Sequence, residues 1–309
     1  MRSAEECWDG VSGEGGEMSV KPVLRKIEWF SIINGLFLSV LGLVCVLPFL
    51  HVASKAVSDD TAVVAGRVGI IPNGFQLDAM RYVLLESSFL NSFRNSVFIT
   101  VVGTLLALLV TVMASYPLSK PGFKGGKSIL MLYVFTMLFS GGIIPNYMLI
   151  KGLGLLDNLW ALILPSLIVP FNLLVMKTFF EGLPESLEES AKMDGASYIR
   201  ILFSIVLPIS LPVLATIGLF YGVGYWNSFF SAMIYISKQD LKPLQLLLYE
   251  MIVNTETDLN QLSPDQLMNL TSEGIKAATI ISSALPIIIV YPFLQKYFVK
   301  GLTLGSVKG

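Results

Sequence analysis

The chain has 309 residues, of which 54% are hydrophobic and 14% charged, with a mean hydropathy of +0.70; soluble domains carry about 25% charged residues. This balance excludes a soluble globular domain and implies an all-α polytopic membrane protein. A net charge of -1 gives no reason to expect nucleic acid as a partner, and a single histidine (His51) with two cysteines, Cys7 and Cys45, excludes polyhistidine metal sites and a disulfide framework.

Residues 1–18 are rich in Gly, Glu and Ser without periodicity and are expected to be a disordered extension. Met18 begins a more ordinary start, MSVKPVLRKIEWF, and initiation there is expected to cost no function. The membrane domain then occupies 19–309. Its first apolar run, Trp29 to about Leu50, is long enough for a hydrocarbon core of ~30 Å at ~1.5 Å per residue, and it exceeds the apolar core of a signal peptide. Cys45 in this run reads as a small packing residue, and His51 as an interfacial one. The following stretch, Val52 to Asn91, contains Asp59, Asp60, Arg67, Pro72, Asn73-Gly74 and Arg81, and reads as an extracytoplasmic loop.

Four further spans are expected at about 96–118, 129–150, 159–176 and 208–236, and a sixth at 275–298. Basic residues gather in the head (Lys21, Arg25, Lys26), the second connection (Lys120, Lys124, Lys127) and the tail (Lys296, Lys300, Lys308). By the positive-inside rule both termini are cytoplasmic. PGFKGGKS, Pro121 to Ser128, nearly spells a nucleotide-binding loop, but it lacks the first Gly and has apolar spans on both sides. ATP is therefore not expected to bind this chain.

No Asp, Glu, Lys, Arg or His falls in the central part of any run. Ion-coupled carriers usually keep such groups inside, despite a cost of about 2.5 to 3.5 kcal/mol each. Their absence favours a neutral polyhydroxylated solute, or a charged one recognised elsewhere. Uncharged polar groups remain in the spans, namely Asn146, Tyr147, Asn172, Tyr221 and Asn227, and these are candidates for a translocation pathway. Gly218-x-x-x-Gly222 allows a second helix to approach closely.

Between spans four and five lies a polar, helix-prone hairpin, Leu183 to Pro208, within a loop over 181–207. Pro184 suits a first turn, Glu185, Glu188 and Glu189 complement a helix N-terminus, and Asp194-Gly195 supplies a stop. Ser197 can cap a second helix running toward Pro208. Leu183, Leu187 and Ala191 share one face, which leaves the carboxylates largely on the others.

The spacing Glu189-Ser190-Ala191, three residues, Gly195, nine residues, Ile205-Val206-Leu207-Pro208 resembles the Glu-Ala-Ala loop of binding-protein-dependent ABC importer permeases, with Ser190 where Ala is usual. The resemblance implies a type I importer permease fold of six transmembrane helices with cytoplasmic coupling helices. It assigns coupling to an ATPase to Glu189, Ser190, Ala191, Asp194, Gly195, Ile205, Leu207 and Pro208. It also implies a heterodimer with a second, similar permease, a dimeric cytoplasmic ATPase that binds ATP and Mg, an extracytoplasmic solute-binding protein, and a multi-pass location in a bacterial cytoplasmic membrane. No cofactor is expected in this chain.

AVVAGRVGIIPNGFQLDAMRYVL resembles the same region in permeases for complex oligosaccharides. YWNSFFSAMIYI, Tyr225 to Ile236, resembles the Trp-Asn segment of the smaller permease subunit in maltose-type importers. On that likeness Tyr225, Trp226 and Asn227 join the pathway candidates, and interfacial anchoring is the other reading of Trp226 and Asn227. The acidic stretch Ser237 to Gly274 reads either as a landing surface for the binding protein or as a solvated loop. KGLTLGSVKG, Lys300 to Gly309, reads as a tail reaching toward the ATPase or as a frayed terminus. A membrane enzyme would need a nucleophile with a base, or metal ligands, and the chain has neither a His-Glu-x-x-His helix nor clustered cysteines. The alternative function is an uncoupled passive facilitator or channel, which has no use for the hairpin.

Overall fold

The computed structural model describes residues 29–85, 87–259 and 271–306. The expected extension 1–18, the basic residues Lys21, Arg25, Lys26 and Lys308, and Asp265 lie outside the described residues. Among the described residues there is no strand, only an isolated antiparallel bridge between Ser58 and Phe75.

Helix α1 (Trp29–Ala56) is the first long apolar element. Up to Pro48 it belongs to a unit of its own, and its side chains, among them Trp29, Phe30, Leu36, Phe37 and Val44, are exposed on every side. A helix apolar all round is a membrane span rather than an amphipathic surface helix. The second unit, Phe49–Gly309, holds everything else.

Two short helices follow, α2 (Asp60–Val64) and α3 (Asp78–Leu85), then the long α4 (Ser87–Leu118). Next come α5 (Gly126–Leu138), α6 (Ile143–Gly152), α7 (Trp160–Ile163) with a tight turn at Leu164–Ser166, and α8 (Pro170–Glu181). The hairpin supplies α9 (Glu185–Met193) and α10 (Tyr198–Ile201), a widened π turn at Leu202–Val206, and α11 (Leu207–Ile209). The chain ends with α12 (Leu211–Trp226), α13 (Phe229–Tyr235), α14 (Leu244–Leu259) and α15 (Ser272–Ser306).

Among the described residues three helices are long and apolar enough to cross a membrane unbroken, within Trp29–Ala56, Ser88–Leu118 and Ser272–Ile289, and three bent pairs raise the number to six when each pair is counted as one span. The straight run expected at 129–150 is instead two helices meeting at 116°. The reason is local: the chain leaves the helix over Phe139–Gly142, and Gly142 sits at φ +85°, where helix cannot continue. The pair Trp160–Ser166 and Pro170–Glu181 bends by 47° ahead of Pro170, and the pair Tyr198–Ile209 and Leu211–Trp226 by 84° around Ser210. Pro208 and Pro212 each lack the N–H that would continue the ladder, so the turn before Pro208 widens and the helix restarts after Ser210. The expected loop Ser237–Gly274 contains a helix, α14.

α4 is the hub, packed against α12, α8, α14, α7, α3 and α5. Its seam with α12 is close because glycines line it. A Cβ on Gly103 would come within 2.9 Å of the Tyr225 ring, one on Gly218 within 3.2 Å of Leu108, and one on Gly222 within 3.6 Å of Thr104. Small residues let two helices approach where lipid supplies no hydrophobic drive between them. One apolar cluster runs along this seam to the hairpin, including Ile99, Met176, Phe180, Ile201 and Ile217; a second, around Val83, Phe89, Leu244 and Ala278, closes the opposite end.

Candidate functional site

α8 stops at Gly182, and Pro184 (φ −60°, ψ 124°) stands just ahead of α9 as its cap rather than inside its first turn. α9 ends in a Schellman turn: the N–H of Gly195 bonds Lys192 O at 3.0 Å, and the N–H of Ala196 bonds Ala191 O at 3.0 Å. Gly195 takes φ +78° to allow it. Ser197 then caps α10, its hydroxyl accepting from the N–H of Arg200 at 3.4 Å. Thus the Asp194-Gly195 stop and the Ser197 cap form the corner between two short helices.

The corner sorts its side chains. Ala191, Ile201, Leu202 and Val206 are buried against the core. Met193, Tyr198 and Ile199 stand out, at 88%, 63% and 71% exposed, beside the exposed carboxylates of Glu185, Glu189 and Asp194. Lys192 lies over the Tyr198 ring at 5.0 Å from its centroid. Ser190 is exposed and spends its hydroxyl on Ser186 O at 2.8 Å, so a serine here leaves the packing unchanged. Ile205 and Leu207 are half-buried against the core cluster, and Pro208 is the second residue of α11. An exposed apolar patch ringed by charge on a rigid corner is the shape of a docking surface.

One part of the hairpin differs from the sequence reading. Leu187, expected inside, is 40% exposed, whereas Glu188, expected outside with the other carboxylates, is buried. The physical reason is Lys120, two residues past the end of α4, whose ammonium donates to Glu188 Oε1 and lies 4.6 Å from the centroid of the Tyr116 ring. Tyr116 in turn meets Phe180 edge-on at 6.0 Å. Glu188 stands three residues before Ala191, which places both on one helical face, a signal present in the sequence. Its partner is 68 positions away and left none.

The pathway candidates separate into two groups. Tyr221 and Tyr225 are buried, and their hydroxyls are committed inside the fold: Tyr221 Oη to Thr111 Oγ1 at 2.7 Å and to the N–H of Val169 at 3.1 Å, Tyr225 Oη to Ile163 O at 3.1 Å. Asn172 is also buried. Asn146 and Asn227 are exposed, and Asn227 returns its amide to Val223 O at 3.0 Å as the cap of α12. Tyr147 stacks on Tyr235 at 6.5 Å, and Trp226 meets Phe93 edge-on at 6.3 Å.

At the end of the molecule opposite the hairpin, backbone and carboxylates lock the connections together. Asp157, at φ +55°, accepts from the N–H groups of Ser237 at 2.6 Å and Lys238 at 3.0 Å. These two donors hold its carboxyl below the usual carboxylate range. Asp60 accepts from Thr271 Oγ1 at 2.7 Å and from its N–H at 3.3 Å, and burial pushes its carboxyl up despite those bonds. Asn95 donates to Asp240 O at 2.7 Å and Lys242 O at 3.2 Å, and Ser96 Oγ accepts from the N–H of Leu244 at 2.7 Å. Among the described residues no His, Cys, Asp and Glu cluster is arranged to hold a metal.

Residues 28–304 match the family described as binding-protein-dependent transport system inner membrane component. Protein LplC of Bacillus subtilis (strain 168) is 47% identical over 282 residues, 91% of this chain and 95% of that protein. The polygalacturonan/rhamnogalacturonan transport system permease protein YtcP of the same organism is 43% identical over 279 residues, 88% and 96% of the two chains. Among solved structures, a chain of a bacterial ABC transporter involved in the import of the acidic polysaccharide alginate is 35% identical, with a TM-score of 0.81 over 87% of this chain and 96% of that one. With its hairpin, its bent spans and a match that runs nearly end to end, the chain belongs to the binding-protein-dependent ABC importer permeases, a family of transporter membrane components.

Proposed function

We propose that this chain is one of two similar permease subunits that sit on a dimeric ATPase and pass an oligosaccharide handed over by an external binding protein. Polygalacturonan, rhamnogalacturonan and alginate in the descriptions of its relatives support a carbohydrate substrate. Spans without a central Asp, Glu, Lys, Arg or His suit a ligand rich in hydroxyls whose charges, where it has them, are read by the binding protein. The hairpin faces the cytoplasm with both termini in a bacterial cytoplasmic membrane, and Asn146, Tyr147, Trp226 and Asn227 supply the polar and aromatic groups nearest a sugar path. Asn172, Tyr221 and Tyr225 shape that path from behind.

In this reading ATP and Mg stay with the ATPase. Closure of the ATPase dimer moves the docked corner at Glu189, Ser190, Ala191, Asp194 and Gly195, and the bent spans turn between inward-facing and outward-facing arrangements. Coupling of this kind needs packed elements with two discrete positions. The connection through α14 offers the binding protein its surface, and the tail from Lys300 reaches toward the ATPase.

The observation that carries the proposal is the corner that buries Ala191 and Ile201 while presenting Met193, Tyr198 and Ile199. The test is purification of the intact chain from its native membrane in mild detergent, beside a Met193→Asp/Ile199→Asp variant, with bound proteins identified by mass. A second permease is expected with both and the ATPase with the intact chain alone. An intact chain that comes down without either, or a variant that keeps the ATPase in full, overturns it.

A further inference from the structure

Among the described residues Lys120–Glu188 is the one ion pair that joins the hairpin to a separate part of the fold; the other three lie within α8 or at the opposite end. Along the chain α9 is held by short links, Gly182 to Pro184 before it and the turn at Gly195 after it. Sideways it is held by Ala191 and by this pair. Glu188 is buried, so loss of Lys120 would strand a carboxylate away from water, a far larger penalty than for a surface pair.

What Glu188 grips is the end of the hub helix. Asn95 and Ser96 lie further along α4 (Ser87–Leu118), about 35 Å from Lys120 at ~1.5 Å per residue. There it carries the segment that leads into α14 through the Asn95 and Ser96 hydrogen bonds. Between the two ends it meets α12 at Gly103–Tyr225, Leu108–Gly218 and Thr111–Tyr221. The Lys120 end is closed by Ser119 Oγ donating to Tyr116 O at 2.7 Å, and Lys120 is seated on the Tyr116 ring. A push on α9 therefore reaches one helix that touches both faces of the molecule and the seam between them.

We propose that Glu188 and Lys120 are positioning residues that form the joint through which hairpin movement is delivered to α4, and that the pair sets how much solute is moved per ATP hydrolysed. The inference rests on the coupling role argued above. The residues that meet the ATPase are those on the outward face; this pair lies behind them and transmits.

The experiment uses the complete importer in liposomes, with its ATPase, partner permease and binding protein. Hydrolysis and uptake are measured together for wild type, Glu188→Gln, Lys120→Gln and the exchanged pair Lys120→Glu/Glu188→Lys. The single variants are expected to assemble and hydrolyse ATP, with uptake per ATP about tenfold lower and the KM for uptake unchanged. The exchanged pair is expected to recover most of the yield, which a general loss of packing would not do. Glu188→Asp, which keeps the charge and shortens its reach, covers the case in which the neutral variants fail to assemble, and an intermediate yield is expected. Wild-type yield in the single variants, or in Glu188→Asp if those do not assemble, overturns the joint, as does an exchanged pair that assembles and stays as defective as the singles. A wild-type chain that never binds the ATPase sinks the coupling role itself, so the two failures are distinguishable.

Discussion

Gly195 offers a graded perturbation of the hairpin corner, because its surroundings are empty. Beyond its two chain neighbours no atom lies within 4 Å of where a Cβ would be placed, so a substitution there is resisted by backbone conformation alone. At φ +78° alanine costs about 1 to 2 kcal/mol, while asparagine tolerates the left-handed region better. Proline fixes φ near −65°, a swing of about 140° from the observed value. It also removes the N–H that bonds Lys192 O, worth about 1 kcal/mol, and disfavours the ψ of 5° at Asp194 just before it. The corner cannot form with proline.

The assay is a series, Gly195→Asn, Gly195→Ala and Gly195→Pro, each scored for membrane level, ATPase recovered on purification, and solute uptake. Asparagine is expected near wild type. Alanine is expected to lower the docked fraction by at most about 5- to 30-fold, the equivalent of its strain, because the buried Ala191 and Ile201 still hold the hairpin. Proline is expected to insert normally and to lose both ATPase and uptake. A stably inserted Gly195→Pro protein with normal uptake would refute the reasoning.

Two further tests address the frame around the site. Gly103→Ala places a methyl 2.9 Å from the Tyr225 ring, which is tied down through its hydroxyl to Ile163 O. A loss of about 1 to 3 kcal/mol is expected from such overpacking, seen as a lower melting temperature in detergent and relieved by adding Tyr225→Leu; unchanged melting would contradict the tight seam. Asp157 and Asp60 are expected to respond to acid in opposite senses. The Asp157 carboxyl is held below its ordinary 3.8, so its clamp on 237–238 is complete above that pH and is lost as pH falls through its lower pKa. Asp60 is raised above 3.8, so its favourable contribution is complete below that value and fades as pH rises through its higher pKa. Hydrogen exchange at Ser237 and Lys238, and melting of Asp60→Asn near neutrality, check the two. Asp157→Ala with unchanged exchange, or Asp60→Asn clearly less stable than wild type, would contradict these signs.

The corner was legible because each of its signals is local: a proline before, carboxylates in the first turn, Asp194-Gly195 at the stop and Ser197 after it. The glycines of α12 were legible as a packing stripe for the same reason. Gly103 was not singled out, since a lone glycine in an apolar run announces no neighbour. The break at Phe139–Gly142 had a visible cue in Ser140-Gly141-Gly142, but hydropathy counts these residues as neutral and carries the run across them. Glu188 was placed on the wrong side because burial of a carboxylate depends on a cation 68 residues distant. The tyrosines of α12 show the same limit: a hydroxyl in a span signals that it needs a partner, and only the fold reveals that Thr111, the N–H of Val169 and Ile163 O provide them.

The stretch from Phe139 to Gly142, non-helical and exposed at all four residues, bears on the lifetime of the protein in the cell. Hydrocarbon offers nothing to an opened backbone, so such a stretch is tolerated only against other protein or against water. A copy made without company would carry this uncovered elbow into lipid and present quality-control proteases with a ready mark. Steady-state abundance should therefore follow the supply of whatever covers the elbow, and the chain made alone should turn over quickly.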